Sequence, residues 1–189
     1  MITVKWSHPE IDGLREDEIT KLSNFDPNRQ ADIASIRRFM EKNKHVLASG
    51  RILDFGAGKL GTCRQPQPYK DLVSKDAEYL PYDIGDTLPV PPFDTIMCNQ
   101  VTQAVLDVPQ MLKDFYDWLE PTKGILIMTY GANWEEVEEN DLWRFTKRGM
   151  ERLLHRNGFI IGVHERRAEV CLHNFRFALG YGVVAKVNA

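Results

Sequence analysis

The feature that most constrains the fold is a short apolar strand that runs directly into a glycine-rich turn. Residues 51–55 (RILDF) predict the strand, and residues 56–61 (GAGKLG) follow it at once. Glycines let a chain turn sharply and bring its backbone close to a ligand. In an open α/β sheet, such a turn lies at the carboxyl end of a strand, where ligands bind. The junction therefore predicts an α/β fold with a ligand at this turn.

Strands and helices alternate along the rest of the chain, which favours a doubly wound, mostly parallel sheet. The last two strands have no helical pattern between them, so we expect them to pair antiparallel at the end of the sheet. The predicted helices cover residues 27–44, a segment opened by Pro109 and a segment capped by Thr146. The further predicted strands are residues 78–83, 93–98, 125–130, 159–163 and 182–187.

Length and composition predict one domain over residues 1–189, with a helical extension over 1–45 and a sheet core over 46–189. The net charge of -3 disfavours nucleic acid as a partner. No apolar run approaches the roughly 20 residues of a membrane span, so we expect no membrane partner. The three cysteines are far apart, and neither they nor the histidines have the spacing of metal ligands, so we expect no metal site. Because the cysteines do not suggest disulfide bonds, we expect a cytoplasmic location. The oligomeric state is not predicted.

The glycine spacing also fits the G-x-G-x-x-G pattern of dinucleotide sites, which makes an NAD-type oxidoreductase one hypothesis. Two features disfavour it. Residues 62–68 contain two prolines and delay the helix on which a pyrophosphate should rest. Asp54, two residues before Gly56, would repel a diphosphate but attract an ammonium and a sulfonium group. S-adenosylmethionine carries both cations and no phosphate, and we predict it as the cofactor.

A second acid follows the next predicted strand, in the sequence Tyr82-Asp83-Ile84. A carboxylate at the end of this strand is able to accept hydrogen bonds from both hydroxyls of a ribose. We therefore predict that Asp83 binds the ribose. The alternative is that Asp83 is only a turn residue at the end of the strand.

Four segments together resemble class I S-adenosylmethionine-dependent methyltransferases. Residues 53–58 (LDFGAG) resemble motif I, and residues 93–101 (FDTIMCNQV) are similar to the fourth strand and the segment after it. Residues 119–126 (LEPTKGIL) are similar to the turn into the fifth strand. Residues 141–146 (DLWRFT) resemble a branch of the small type 11 group. The resemblance covers about residues 35–187.

The resemblance implies a seven-stranded Rossmann-like sheet with an antiparallel last strand, and methyl transfer as the activity. It places the motif I turn at the methionine end of the cofactor, Asp83 at the ribose and residues 99–101 beside the cofactor. The predicted cofactor-binding residues are Asp54, Phe55, Gly56, Ala57, Gly58, Tyr82, Asp83, Ile84, Asn99, Gln100 and Val101.

The chain departs from the family pattern in three places. Leu60 stands where a third glycine is usual, and Gly61 comes one place late. Only four residues separate Asp83 from the Leu-Pro pair at 88–89, so the family's third strand is shortened or missing. The nearest acid for the adenine side is then Asp86. Finally, residues 103–104 are Gln-Ala where the family commonly has a Glu-His pair, so we predict no catalytic base. A non-catalytic binding protein that retains the fold is therefore a third hypothesis.

The acceptor side is predicted in the loop over residues 130–145. Its candidate residues are Tyr130, Trp134, Trp143 and Arg144, which offer aromatic faces and one cation. Packing of the loop onto the sheet explains the tryptophans equally well, and Arg144 is also able to pair with a nearby acid of the loop. We expect a small-molecule acceptor.

Overall fold

The computed structural model describes residues 27–57, 67, 69–132, 142–172 and 175–188. These residues form three α-helices and six strands, joined by short 3₁₀ helices at Lys44–Leu47, Lys70–Leu72 and Thr102–Ala104. The predicted elements are confirmed to within a few residues at most of their ends. In chain order they are α1 (Pro27–Lys42), β1 (Gly50–Phe55), β2 (Ala77–Tyr82), β3 (Thr95–Asn99), α2 (Val108–Trp118), β4 (Ile125–Gly131), α3 (Lys147–Arg156), β5 (Phe159–Leu172) and β6 (Phe175–Val187).

The six strands form one sheet in the order β2-β1-β3-β4-β6-β5. Strands β1 to β4 are mutually parallel, and β6 runs antiparallel to both β4 and β5. This confirms the predicted fold class, a mostly parallel Rossmann-like sheet with an antiparallel last strand. The described part of the chain holds six strands rather than the seven that the resemblance implies.

The family's third strand is the missing one. The segment between β2 and β3 forms turns, with Asp83 to Asp86 as the first of them, and β2 becomes an edge of the sheet. Residues 89–92 (PVPP) include three prolines, which lack the N–H that a strand ladder needs. The shortening predicted from the sequence is therefore a complete loss of this strand.

The last two strands are much longer than predicted. Strands β5 and β6 contain 14 and 13 residues. Their pairing runs from Phe159, which lies opposite Val187, to Leu172, which lies opposite Phe175. Only the part of β6 from Gly180 onwards also pairs with β4, so the outer half of this ribbon extends past the sheet. In the sequence, the outer half of the ribbon lacks the continuous apolar run that reveals a buried strand, which is why the prediction missed it.

Helices cover both faces of the sheet. Side chains such as Leu53 and Phe55 point to the face that packs against α2 and α3, whereas Ile52 points to the face covered by α1. Both helices on the first face begin at a side-chain cap. Asp107 accepts a hydrogen bond from the Gln110 backbone N–H at 3.0 Å, and Thr146 accepts one from Gly149 at 3.1 Å. This packing fixes the carboxyl ends of β1, β2 and β3 at one edge.

Candidate functional site

The predicted glycine turn lies at the carboxyl end of β1 and contacts two other segments. Gly56 has φ +79°, and a Cβ atom at this position would lie 2.3 Å from Cγ2 of Val101. The backbone N–H groups of Gly56 and Ala57 donate to the Tyr82 carbonyl, at 2.8 and 3.2 Å. Glycine is therefore required at position 56 for its backbone conformation and for the close approach of Val101. The turn brings together the ends of β1 and β2 and the segment after β3.

Asp54 is a buried acid directly before this turn. It is 3% exposed, and the Tyr79 hydroxyl donates to its Oδ2 at 2.5 Å. Burial raises the pKa of the Asp54 carboxyl to about 6, and the nearby charge of Asp83 acts in the same direction. Because both acids are close enough to interact, a cation bound between them would relieve their repulsion.

Asp83 begins a tight turn after β2. The Asp86 backbone N–H donates to the Asp83 carbonyl at 2.9 Å, and Asp86 Oδ2 accepts from the Asp83 N–H at 3.2 Å. Asp86, the predicted adenine-side acid, therefore uses one carboxylate oxygen within the turn. Ile84 is 61% exposed, which leaves an apolar side chain open beside Asp83.

Unpaired polar atoms cluster after β3. Within the described part of the chain, four buried side-chain atoms lack a hydrogen-bond partner: Asn99 Nδ2, Gln100 Nε2, Thr102 Oγ1 and Gln103 Oε1. A buried polar group without a partner costs about 1–3 kcal/mol, and folded proteins pair most such groups. Gln100 also has φ +55°, a strained conformation that is common at functional sites. The cluster is therefore a candidate binding site, at which a ligand would supply the missing partners.

These three neighbouring parts form one surface, which we call the polar edge: residues 54–57, 82–86 and 99–103. It contains every predicted cofactor-binding residue that the structure describes, whereas Gly58 lies outside the described residues. Sequence reasoning did not single out Thr102 and treated Gln103 only as a missing base. No sequence pattern marks either residue, because their significance is the absence of a partner in the folded chain.

Phe55 faces away from the polar edge. Its ring packs against the rings of Phe115 and Tyr82, with centroids 4.8 and 5.4 Å away. Only the backbone of Phe55 is therefore in a position to contact a ligand at the turn.

Tyr130 is not at a pocket mouth, where the sequence pattern had placed it. Its side chain is fully buried, and its hydroxyl lies 2.7 Å from His164 Nε2. His164 Nδ1 lies 3.0 Å from Glu151 Oε1, so Nδ1 carries the proton and Nε2 accepts from Tyr130. Burial lowers the pKa of His164, which favours this neutral form. The prediction failed because the sequence did not show that β5 supplies a partner for the hydroxyl.

Trp143 and Arg144 belong to a segment, residues 142–145, that docks beside the polar edge. The Leu142 backbone N–H donates to the Gln103 carbonyl at 2.7 Å, and Trp143 Nε1 donates to the Val105 carbonyl at 2.8 Å. Arg144 Nη1 donates to the Trp143 carbonyl at 2.8 Å. Trp143 remains 44% exposed. Trp134 and most of the predicted acceptor loop lie outside the described residues.

The described residues offer neither a metal site nor a membrane span. Among them, no group of three or more histidine, cysteine or acidic side chains is arranged to hold a metal ion. None of the helices described combines the length and apolar character needed to cross a membrane.

The comparisons with known proteins agree with this fold. Among solved structures, the magnesium protoporphyrin IX methyltransferase of Synechocystis is similar with a TM-score of 0.56 at 10% identity, over 87% of this chain and 89% of that one. A 1,6-didemethyltoxoflavin-N1-methyltransferase of Burkholderia thailandensis has a TM-score of 0.56 at 13% identity, over 100% and 94% of the two chains. Both were solved with bound S-adenosylhomocysteine. At such low identity these likenesses show the fold alone.

A third solved structure, a putative S-adenosylmethionine-dependent methyltransferase of Listeria monocytogenes, has a TM-score of 0.56 at 13% identity, over 83% of this chain and 100% of that one. Among curated proteins, none matches the sequence. A family model described as a methyltransferase domain matches residues 25–161, well over half of the chain. The chain therefore belongs to the class I S-adenosylmethionine-dependent methyltransferases.

Proposed function

We propose that this enzyme transfers the methyl group of S-adenosylmethionine to a small-molecule acceptor, with the cofactor bound along the polar edge. The observation that carries the proposal is the pairing of two carboxylates, Asp54 and Asp83, with the Gly56 turn at one sheet edge. A ligand with an ammonium group and a ribose matches these acids, whereas the diphosphate of NAD would be repelled by Asp54. This favours methyl transfer over the oxidoreductase alternative.

The residues of the polar edge fit the cofactor group by group. The Gly56 turn would receive the methionine end, and the Asp54 carboxylate would attract its ammonium. Asp83 would accept the ribose hydroxyls, and the exposed Ile84 would cover one face of the adenine. The unpaired Asn99 Nδ2 is a donor available to the same ligand.

The cofactor supplies an already activated methyl group on a sulfonium, so the protein's task is to align the acceptor with it. Gln103 and Ala104 offer no group that takes up a proton at neutral pH. If the acceptor must lose a proton, neither of these two residues takes it up.

Three further assignments rest on the sequence and remain proposals. The exposed Trp143 is proposed to contact the acceptor, with Arg144 beside it and Trp134 in the same loop. A small-molecule acceptor is supported by the methyltransferase of Burkholderia thailandensis, which was solved with 1,6-didemethyltoxoflavin bound. The cytoplasmic location stays a prediction from the sequence.

Calorimetric titration with S-adenosylhomocysteine tests the assignment of Asp83. Hydrogen bonds to a charged acceptor contribute about 1.5–3 kcal/mol each, so Asp83→Ala should weaken binding at least about tenfold. Asp76→Ala is the matched control, since Asp76 lies just before the opposite end of β2 and is exposed. An unchanged dissociation constant for Asp83→Ala, or binding of NAD by the unmodified enzyme, would contradict the proposal.

A further inference from the structure

We propose that the methyl acceptor is a neutral planar heterocycle whose edge presents an N–H next to a carbonyl, and that Gln100 and Gln103 recognise this edge. The inference rests on the proposed function, because it assigns the acceptor of that same site. It is carried by two unpaired amide atoms of opposite hydrogen-bonding character, Gln100 Nε2 and Gln103 Oε1.

The orientation of the Gln103 amide is fixed by its own contacts. Its Nε2 donates to the Gln100 backbone carbonyl at 2.7 Å and to Gln100 Oε1 at 3.4 Å. Exchanging the nitrogen and oxygen would set the Gln103 oxygen against two other oxygens, so the amide cannot be flipped. Gln103 Oε1 is therefore the free atom, and it accepts a hydrogen bond.

The Gln100 amide is oriented by the same contact. Because its Oε1 accepts from Gln103, its Nε2 is the free atom and donates. The two free atoms thus flank a single amide–amide contact, as one donor and one acceptor. A ligand edge with one acceptor and one donor, as in a ring lactam, is the hydrogen-bonding complement of these two atoms.

The amide pair lies between the proposed cofactor site and the segment over residues 142–145. On one side, Val101 follows Gln100 and its Cγ2 approaches Gly56. On the other side, the Gln103 carbonyl accepts from the Leu142 N–H, next to the half-exposed indole of Trp143. An acceptor held by the amides would therefore have the cofactor on one side and an aromatic side chain close to the other.

The amide pair and the side chains near it also favour a particular charge and shape of the methyl acceptor. Two amides carry no net charge, so they do not compensate the burial of an ionised acceptor. An exposed indole, with the exposed Leu142 beside it in the chain and the exposed Leu106 next to its hydrogen-bond partner Val105, offers an apolar surface suited to a flat ring. These features favour a neutral, planar and partly apolar acceptor.

Binding of 2-quinolone and N-methyl-2-quinolone, measured with S-adenosylhomocysteine at saturation, tests this inference. The two probes share a flat ring and a carbonyl, but only the first has the N–H. A site built to pair an N–H rejects the analogue that lacks it, so the unmodified enzyme should prefer 2-quinolone at least about tenfold. Gln103→Met should reduce that preference to less than about twofold. Gln110→Met is the matched control, since Gln110 is an exposed residue of α2, and it should keep the preference.

The inference is overturned if the unmodified enzyme binds both probes equally, or if 2-quinolone shows no binding up to its solubility limit. It is also overturned if Gln103→Met keeps the preference. Should Gln103→Met fail to fold, the comparison of the two probes on the unmodified enzyme still decides. The S-adenosylhomocysteine titration separates the two proposals: no cofactor binding refutes the proposed function, whereas cofactor binding without probe discrimination refutes only the acceptor assignment.

Discussion

The polar edge and the β5–β6 ribbon both bury polar side chains, but they treat them in opposite ways. In the ribbon, the buried Arg167 donates to the Tyr181 carbonyl, to Ser35 Oγ of α1 and to the Tyr130 carbonyl, at 2.9, 3.0 and 3.3 Å. Tyr130 and His164 are likewise paired. At the polar edge, four buried side-chain atoms have no partner among the described residues.

We attribute the difference to two roles: the paired polar groups stabilise the fold, and the unpaired ones are proposed to bind a ligand. A fully paired buried network tightens its region, and an incompletely paired one destabilises it until something binds. Mutations in the ribbon should therefore change stability and leave ligand binding unchanged. Mutations at the polar edge should change binding, and some of them should increase stability.

The largest expected effect is that of Gly56→Ala. The substitution strains a backbone with φ +79° and sets a methyl group against Val101, which together cost about 2–5 kcal/mol. Urea unfolding should show this loss, and S-adenosylhomocysteine affinity should fall more than about tenfold.

Two companion variants separate strain from collision at Gly56. Gly85 has φ +102° with nothing within 4 Å of a Cβ atom, so Gly85→Ala should lower the free energy of unfolding by the strain alone. Adding Val101→Ala to Gly56→Ala removes the colliding methyl groups and should restore part of the lost stability. Equal losses of unfolding free energy for Gly56→Ala and Gly85→Ala would show that the close approach of Val101 does not contribute to the effect.

Breaking the paired network of the ribbon should have the next largest effect. His164→Leu removes the acceptor of the buried Tyr130 hydroxyl and should cost about 1–3 kcal/mol, or roughly 2–12 °C in melting temperature. Cofactor affinity should not change. His45→Leu is the matched control, because His45 is exposed in the 3₁₀ helix Lys44–Leu47. A melting temperature equal to that of the unmodified enzyme would show that the network contributes nothing to stability.

Asp54→Asn should stabilise the unliganded enzyme at pH 8. The rise of the Asp54 pKa from 3.8 to about 6 corresponds to about 3 kcal/mol, and removing the charge should recover about 1–3 kcal/mol of it. Because the folded pKa lies above the unfolded one, the unmodified enzyme loses this stability as the pH rises from 3.8 through about 6. Chemical unfolding at pH 4 and pH 8 measures the difference, which should largely vanish at pH 4.

The same variant should bind S-adenosylhomocysteine at least about tenfold more weakly at pH 8, since the carboxylate no longer attracts the ammonium. An Asp54→Asn variant that is both less stable and fully able to bind would contradict the role given to Asp54.

His164 provides the opposite pH dependence. Because its pKa is lowered in the folded enzyme, its contribution to stability is complete above about pH 6.5 and is lost as the pH falls below that value.

The smallest expected effect is that of Trp143→Phe. Loss of the Nε1 donor to the Val105 carbonyl should cost about 0.5–1.5 kcal/mol, while the ring that faces Phe145 is kept. Cofactor affinity should be unchanged, and amide hydrogen exchange at Leu142 should become faster because its segment is less firmly docked. Leu106→Ala serves as the control, as Leu106 is 81% exposed. Unchanged exchange at Leu142 would show that the indole does not hold the segment.

The sequence by itself determined the strand and turn at Asp54 and Gly56, the helix cap at Thr146, and a shortened or missing strand after Asp83. These features depend on local causes, namely the conformational freedom of glycine, side chains that cap their own helix, and prolines that cannot join a ladder. They are therefore predictable from a few consecutive residues. The family resemblance added the prediction of a cofactor at the turn.

Only the tertiary structure decided which polar residues are paired. Tyr130 looked like a pocket residue until β5 placed His164 34 positions later against its hydroxyl. Gln103 looked like a mere loss of a base until its amide nitrogen was found hydrogen-bonded and its buried amide oxygen unpaired. Whether a buried polar atom stabilises the fold or binds a ligand depends on partners distant in the sequence, and those partners meet only when the sheet is complete.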